Sequence, residues 1–84
     1  MYVLATSTFT DRSKLAPLVK AEVERVHQLR HEGVIAQAFR RSDGGGTVLI
    51  LQVASIDEAR DKLGQLPFSQ AGLMAIEYAE LVPL

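Results

Sequence analysis

The chain has 84 residues, enough for one domain that buries only about 60–65% of the surface its unfolded form exposes, so contact between copies would add to its stability. Without cysteine it can form no disulfide framework, thiolate metal site or cysteine nucleophile, and the redox compartment is left open. Nine basic and ten acidic side chains give a formal net charge of −1, which offers nucleic acid no electrostatic footprint.

The start, Met1 to Thr6, lacks the basic region and long apolar core of a signal peptide. The longest aliphatic run, Val48 to Leu51, is too short for a bilayer. A cytoplasmic protein with no membrane segment is expected. Tyr2 to Phe9, rich in Val, Thr and aromatics, reads as a first strand ending at the polar cluster 10–13. A helix follows over roughly 12 to 31. Thr10 and Ser13 can both cap it, and Pro17, comfortable only in a first turn, favours Ser13. Arg30 and His31 suit its negative end, and Gly33 can take the left-handed position just beyond. Val34 to Arg41 forms a second strand. Ser42-Asp43-Gly44-Gly45-Gly46 is a hairpin turn leading into Thr47 to Val53; it lacks the lysine and following helix of a phosphate loop. Ser55 and Glu58 form a capping box opening a short helix to about Leu63, which Gly64 and Pro67 stop. Leu73 to Val82 reads as the last strand.

The order β-α-β-β-α-β over residues 1–84 predicts a single α+β domain, a ferredoxin-like sandwich with two helices on one face of a four-stranded antiparallel sheet. Alternation puts Val34, Ala36 and Ala38 opposite Ile35 and Phe39, and Val48 and Ile50 opposite Leu49, Leu51 and Val53. In the last strand Leu73, Ala75, Ala79 and Leu81 oppose Met74, Ile76, Tyr78 and Val82. Both faces are thus apolar, and the face without helices is expected to pair with a second copy. A wide ligand groove in a monomer is the alternative.

On the first helix Leu15, Leu18, Val19, Val26 and Leu29 fall on one stripe, with Glu22 in its middle. Burial disfavours the charged form of a carboxylate and raises its pKa toward the range of a general base. The other reading of Glu22 is a structural ion pair with Arg25 or a strand arginine. Of Arg40 and Arg41, which alternate in direction, one must point inward or sit at the sheet end, where it could grip a substrate carboxylate; otherwise both are solvated. His27, at the edge of the stripe, could titrate near neutrality or simply pack. His31 is a helix-end charge, and the two histidines without a carboxylate cluster do not build a metal site. Tyr2, Phe68 and Tyr78 could line a pocket or be core.

The residues Leu29-Arg30-His31-Glu32-Gly33, the strand ending Phe39-Arg40, the strand running into Ser55 and the segment Gln65-Leu66-Pro67-Phe68 resemble muconolactone isomerases. The likeness runs without gaps from about Leu18 to Ser55 and resumes from Leu63 to Phe68. It implies a dimeric α/β barrel assembled into a larger ring, and a proton shift on a small unsaturated lactone acid in aromatic-compound breakdown, with no cofactor. Glu22 falls on the family's helix glutamate, a proton-shuttling group, and Arg40 on the arginine after an aromatic, with Phe39 where the family has Trp. The chain reads Gly45-Gly46-Thr47 where the family has Tyr-Ala-Asn, the family's lysine before the first helix has no secure counterpart, and the chain stops at Leu84 before the family's C-terminal extension. The expected enzyme uses Glu22 to take a proton from carbon beside a carbonyl and return it to a conjugated position, while Arg40 anchors the substrate. Two rivals remain open: a cofactor-independent monooxygenase of the same barrel class, with a deep aromatic-lined pocket, and a non-catalytic binding or assembly module with no pocket for a ring-sized ligand.

Overall fold

In the computed structural model, which covers residues 1–84, the strands are β1 (Tyr2–Phe9), β2 (Ile35–Arg40), β3 (Thr47–Gln52) and β4 (Met74–Leu81). They form one antiparallel sheet in the order β2-β3-β1-β4. The helices are α1 (Val19–His31), α2 (Ile56–Gly64) and the single turn α3 (Pro67–Gln70). This is the ferredoxin-like arrangement expected from the element order, and none of its helices is long and apolar enough to cross a membrane.

Three local expectations are corrected. The first helix begins at Val19, not near residue 12, and Ser13 does not cap it. Asp11 Oδ1 accepts the Ser13 N–H at 3.0 Å, which winds the chain into a 3-10 turn at Arg12–Lys14. Pro17, lacking an N–H, sits in a second such turn, Ala16–Leu18. The region from Gly64 to Pro67 stops α2, yet Pro67 also opens α3, because a proline suits the first helical position where no N–H is needed. A bulge between Ile35 and Gln37 shifts the parity of β2, so Ile35 shares a face with Ala38 and Arg40 rather than with Phe39.

The remaining punctuation follows the sequence. Gly33, at φ 82°, closes α1: the Val34 N–H donates to Leu29 O at 2.9 Å and the Gly33 N–H to Arg30 O at 3.1 Å. Ser55 Oγ accepts the Glu58 N–H at 3.0 Å, and Glu58 reaches back to the Ala54 N–H at 2.9 Å.

The helices cover the face bearing Val3, Ala5, Leu49 and Leu51. These four pack with Leu29, Val53, Ala59, Leu63 and Leu66 into the core. By register the open face carries Tyr2, Leu4, Thr6 and Thr8, with Phe39, Val48, Ile50, Ala79 and Leu81 around them. It is less uniformly apolar than alternation alone implies, because Gln37, Gln52 and Glu77 fringe the patch.

One glycine is fixed by contact. A Cβ on Gly46 would lie 1.9 Å from the backbone oxygen of Ser7, so β1 and the hairpin can approach only over glycine. Gly64, at the end of α2, has open space around its Cα. Gly46→Ala is therefore expected to lower stability by about 1–3 kcal/mol or more through forced displacement of β1. Gly64→Ala should raise it by up to about 0.5–1 kcal/mol; urea unfolding of the two variants tests both signs.

Candidate active site

Going along the inner face of β1, packing gives way to a hollow. Val3 and Ala5 lie in the core, whereas Ser7 and Phe9 line a cavity of about 400 Å³ between α1 and the sheet, which Ala5 also borders. That volume lies within the roughly 300–1,000 Å³ range of small-molecule sites. The walls are mainly apolar, with Leu15, Val26, Leu49, Phe68 and Ile76 among them; the polar side chains are Ser7, Glu22, His27, Arg40 and Thr47.

The N-terminal half of α1 borders the hollow and is only partly buried. Leu29, near the C-terminal end, is fully buried, but Val19 and Val23 remain 45% and 47% exposed while bordering the cavity. Of the stripe's residues in α1, only Leu29 is buried, joined by Glu22.

Glu22 makes no ion pair. The partner of Arg25 is Glu32 at 3.7 Å, so the ion-pair reading of Glu22 is replaced by a different contact. Glu22 Oε1 accepts the Phe68 N–H at 2.9 Å. Phe68 follows Pro67 in α3, so this N–H is the first donor of a helical turn and has no partner within that turn. Burial pushes the Glu22 carboxyl above the ordinary glutamate range, and the Phe68 hydrogen bond only partly opposes the rise.

The two arginines diverge. Arg41 is a hairpin clamp: its guanidinium bonds Asp43 Oδ2 at 2.8 Å, Thr8 Oγ1 at 3.0 Å and Ser7 O at 3.3 Å. Arg40 lines the cavity and takes part in none of the chain's ion pairs. His27 is exposed at the cavity's edge, and His31 lies outside it on the outer surface of α1. No three His, Asp or Glu side chains come together as a metal site.

Of the aromatics, Phe68 lines the cavity and meets Phe9 edge to face with ring centroids 5.7 Å apart. Tyr78 lies instead under the Arg60 guanidinium, 5.5 Å from its carbon, and Tyr2 is on the open face. Sequence reasoning missed Phe9, Ser7 and Thr47. A signal existed for Ser7, since it is the first polar residue in the inward series Val3, Ala5, Ser7.

A raised carboxyl has a defined effect on stability. Glu22 binds its proton more tightly folded than unfolded, so its contribution is full below the unfolded pKa and is lost as pH rises through the higher folded pKa. The stability difference between the natural chain and Glu22→Gln should shift in favour of Gln as pH rises through that window. Carbon-13 NMR of the Glu22 carboxyl should show a midpoint above that of an exposed glutamate.

Comparison with known proteins comes to the same fold. A solved muconolactone isomerase shares 25% identity, superposes with a TM-score of 0.81, and the match covers 100% of this chain and 91% of that one. The 5-chloro-2-hydroxyhydroquinone dehydrochlorinase of Burkholderia phenoliruptrix AC1100, solved with 2,5-dihydroxybenzoquinone, also gives a TM-score of 0.81. Its identity is 20%, over 98% of this chain and 94% of that one. No curated protein sequence matches the chain. The family model for muconolactone delta-isomerase matches residues 3–83, and the chain belongs to that family.

Proposed function

We propose that the protein is a proton-shift isomerase acting on a small unsaturated lactone acid such as muconolactone, within the breakdown of aromatic compounds. The observation that carries this reading is Glu22: a buried carboxylate on the wall of an apolar, ring-sized cavity, with its pKa raised toward the operating range of a general base. Such a group can move a proton between the carbon beside the lactone carbonyl and the carbon conjugated with it. The apolar walls exclude water from the dienolate formed between the two steps. Arg40 supplies a positive charge free to meet the substrate carboxylate, and His27, exposed at the cavity's edge, is a candidate second proton carrier. No cofactor is needed for this chemistry. A cavity of this size favours the enzymatic readings over a non-catalytic module.

In deuterated water, NMR should show migration of the muconolactone double bond with deuterium entering at carbon, and Glu22→Gln should slow turnover by roughly 10²–10⁴-fold or more. Full activity in Glu22→Gln would sink the assignment. Oxygen uptake without exchange would move it to the monooxygenase reading.

The open sheet face supports a homodimer built by sheet-on-sheet packing. Phe39, 55% exposed, and the partly exposed Leu4, Val48, Ile50 and Leu81 form an apolar patch that a second copy would cover. Ile50→Lys, at the patch centre, should convert the dimer to monomer in sedimentation velocity, whereas Glu24→Lys on the outer side of α1 should leave it intact.

A further inference from the structure

Ser7 is a hydroxyl residue only 3% exposed, set among apolar neighbours, and its bonds are specific. Beyond the pair Thr6↔Val48 the β1–β3 ladder gives way, and the Thr47 N–H donates to Ser7 Oγ at 2.9 Å. The two hydroxyls lie 2.8 Å apart, and the only other acceptor of the Ser7 proton is Thr47 O, at a long 3.4 Å. The better arrangement has Ser7 donating to Thr47 Oγ1. Thr47 then keeps its own proton, with no acceptor for it inside the chain, and its side chain borders the cavity.

Thr47 is also the direct cross-strand partner of Arg40 on the inner face. Residues so paired hold their side chains about 4.5–5.5 Å apart at Cβ. A cationic side chain and a neutral hydroxyl donor therefore rise from paired positions where the hairpin meets the cavity, within reach of one carboxylate.

We propose that Thr47, oriented by Ser7, is the second donor of a two-point anchor that, with Arg40, holds the carboxylate of a small ring-bearing acid in the cavity. This rests on the isomerase reading for the identity of the acid but not for its carboxylate. Ser7 is the positioning residue, because it acts through Thr47. The anchor selects acids over their neutral esters, and it fixes the ring's orientation toward Glu22 by one end.

The test uses the full chain, with furan-2-carboxylate and its methyl ester as probes in proton–nitrogen NMR titrations, alongside muconolactone turnover. Thr47→Val keeps the shape and removes the donor. It should weaken binding of the acid roughly 10- to 100-fold and leave binding of the ester as in the natural chain. Thr47→Ser should restore the acid, and Ser7→Ala should raise KM for muconolactone by a larger factor than it lowers kcat. Undiminished acid binding by a well-folded Thr47→Val overturns the anchor and leaves the isomerase reading standing. Acid binding that depends on Thr47, in a protein that does not turn over muconolactone, keeps the anchor and removes the isomerase reading. A natural chain that binds neither furan-2-carboxylate nor muconolactone overturns both.

Discussion

The site depends on one constraint: two helices of 13 and nine residues must cover a sheet whose longest strands, β1 and β4, run eight residues each. At about 3.3 Å per residue those strands span roughly 26 Å, while the 13 residues of α1 reach about 20 Å and the nine of α2 only about 14 Å. The covered part becomes core, with Val3, Leu51, Leu29 and Leu63 fully buried. The rest of the inner face has the N-terminal half of α1, the 3-10 turns and α3 around it. A gap is left that side chains do not fill, and its lining, which includes Phe9 and Ile76, is mainly apolar, with Ser7, Glu22, His27, Arg40 and Thr47 as its polar members. The cavity is thus a consequence of helix length and placement, not of any polar residue.

Glu22 shows how such a hollow becomes chemically useful. A carboxylate facing bulk water would have an ordinary pKa, and one fully enclosed without partners would be strongly destabilising. Glu22 lies between these limits, at a wall where one oxygen accepts the Phe68 N–H and burial still raises the pKa. The same bond ties α1 to α3 across the site. Phe68 then packs edge to face on Phe9, so the side chain that closes one side of the cavity is positioned by the carboxylate beside it.

Much of this was legible from residue types and spacing. Alternation and turn chemistry were enough for the four strands, and Gly33, Ser55 and Glu58 marked helix ends because each meets a specific demand of backbone geometry. Glu22 could be singled out because a charge in the middle of an apolar stripe violates the helix pattern. What escaped depended on contacts between distant segments. The β2 bulge changes which residues share a face, and no local signal in Ile35-Ala36-Gln37 announces it. The role of α3 was hidden because Pro67 serves equally well as a stop and as a first helical residue. The contrast between Arg40 and Arg41 was unreadable, since it arises from Asp43, Thr8 and Ser7 O converging on one guanidinium and not the other.

The hairpin joins these features into one device. Asp43 accepts the Gly45 N–H at 2.7 Å, a bond that, helped by Arg41, holds its carboxyl below the usual range and braces the turn. With the turn held by Arg41, Gly46 can lie against the backbone of Ser7, because no Cβ intervenes. That approach brings Thr47 to the Ser7 hydroxyl, paired across the strands with Arg40, which makes no ion pair within the chain. A family departure at Gly45-Gly46-Thr47 therefore has a structural meaning. Gly46, without a Cβ, lets the hairpin lie against the β1 backbone, and Thr47 with Ser7 turns the end of a sheet ladder into a polar corner of an otherwise apolar cavity.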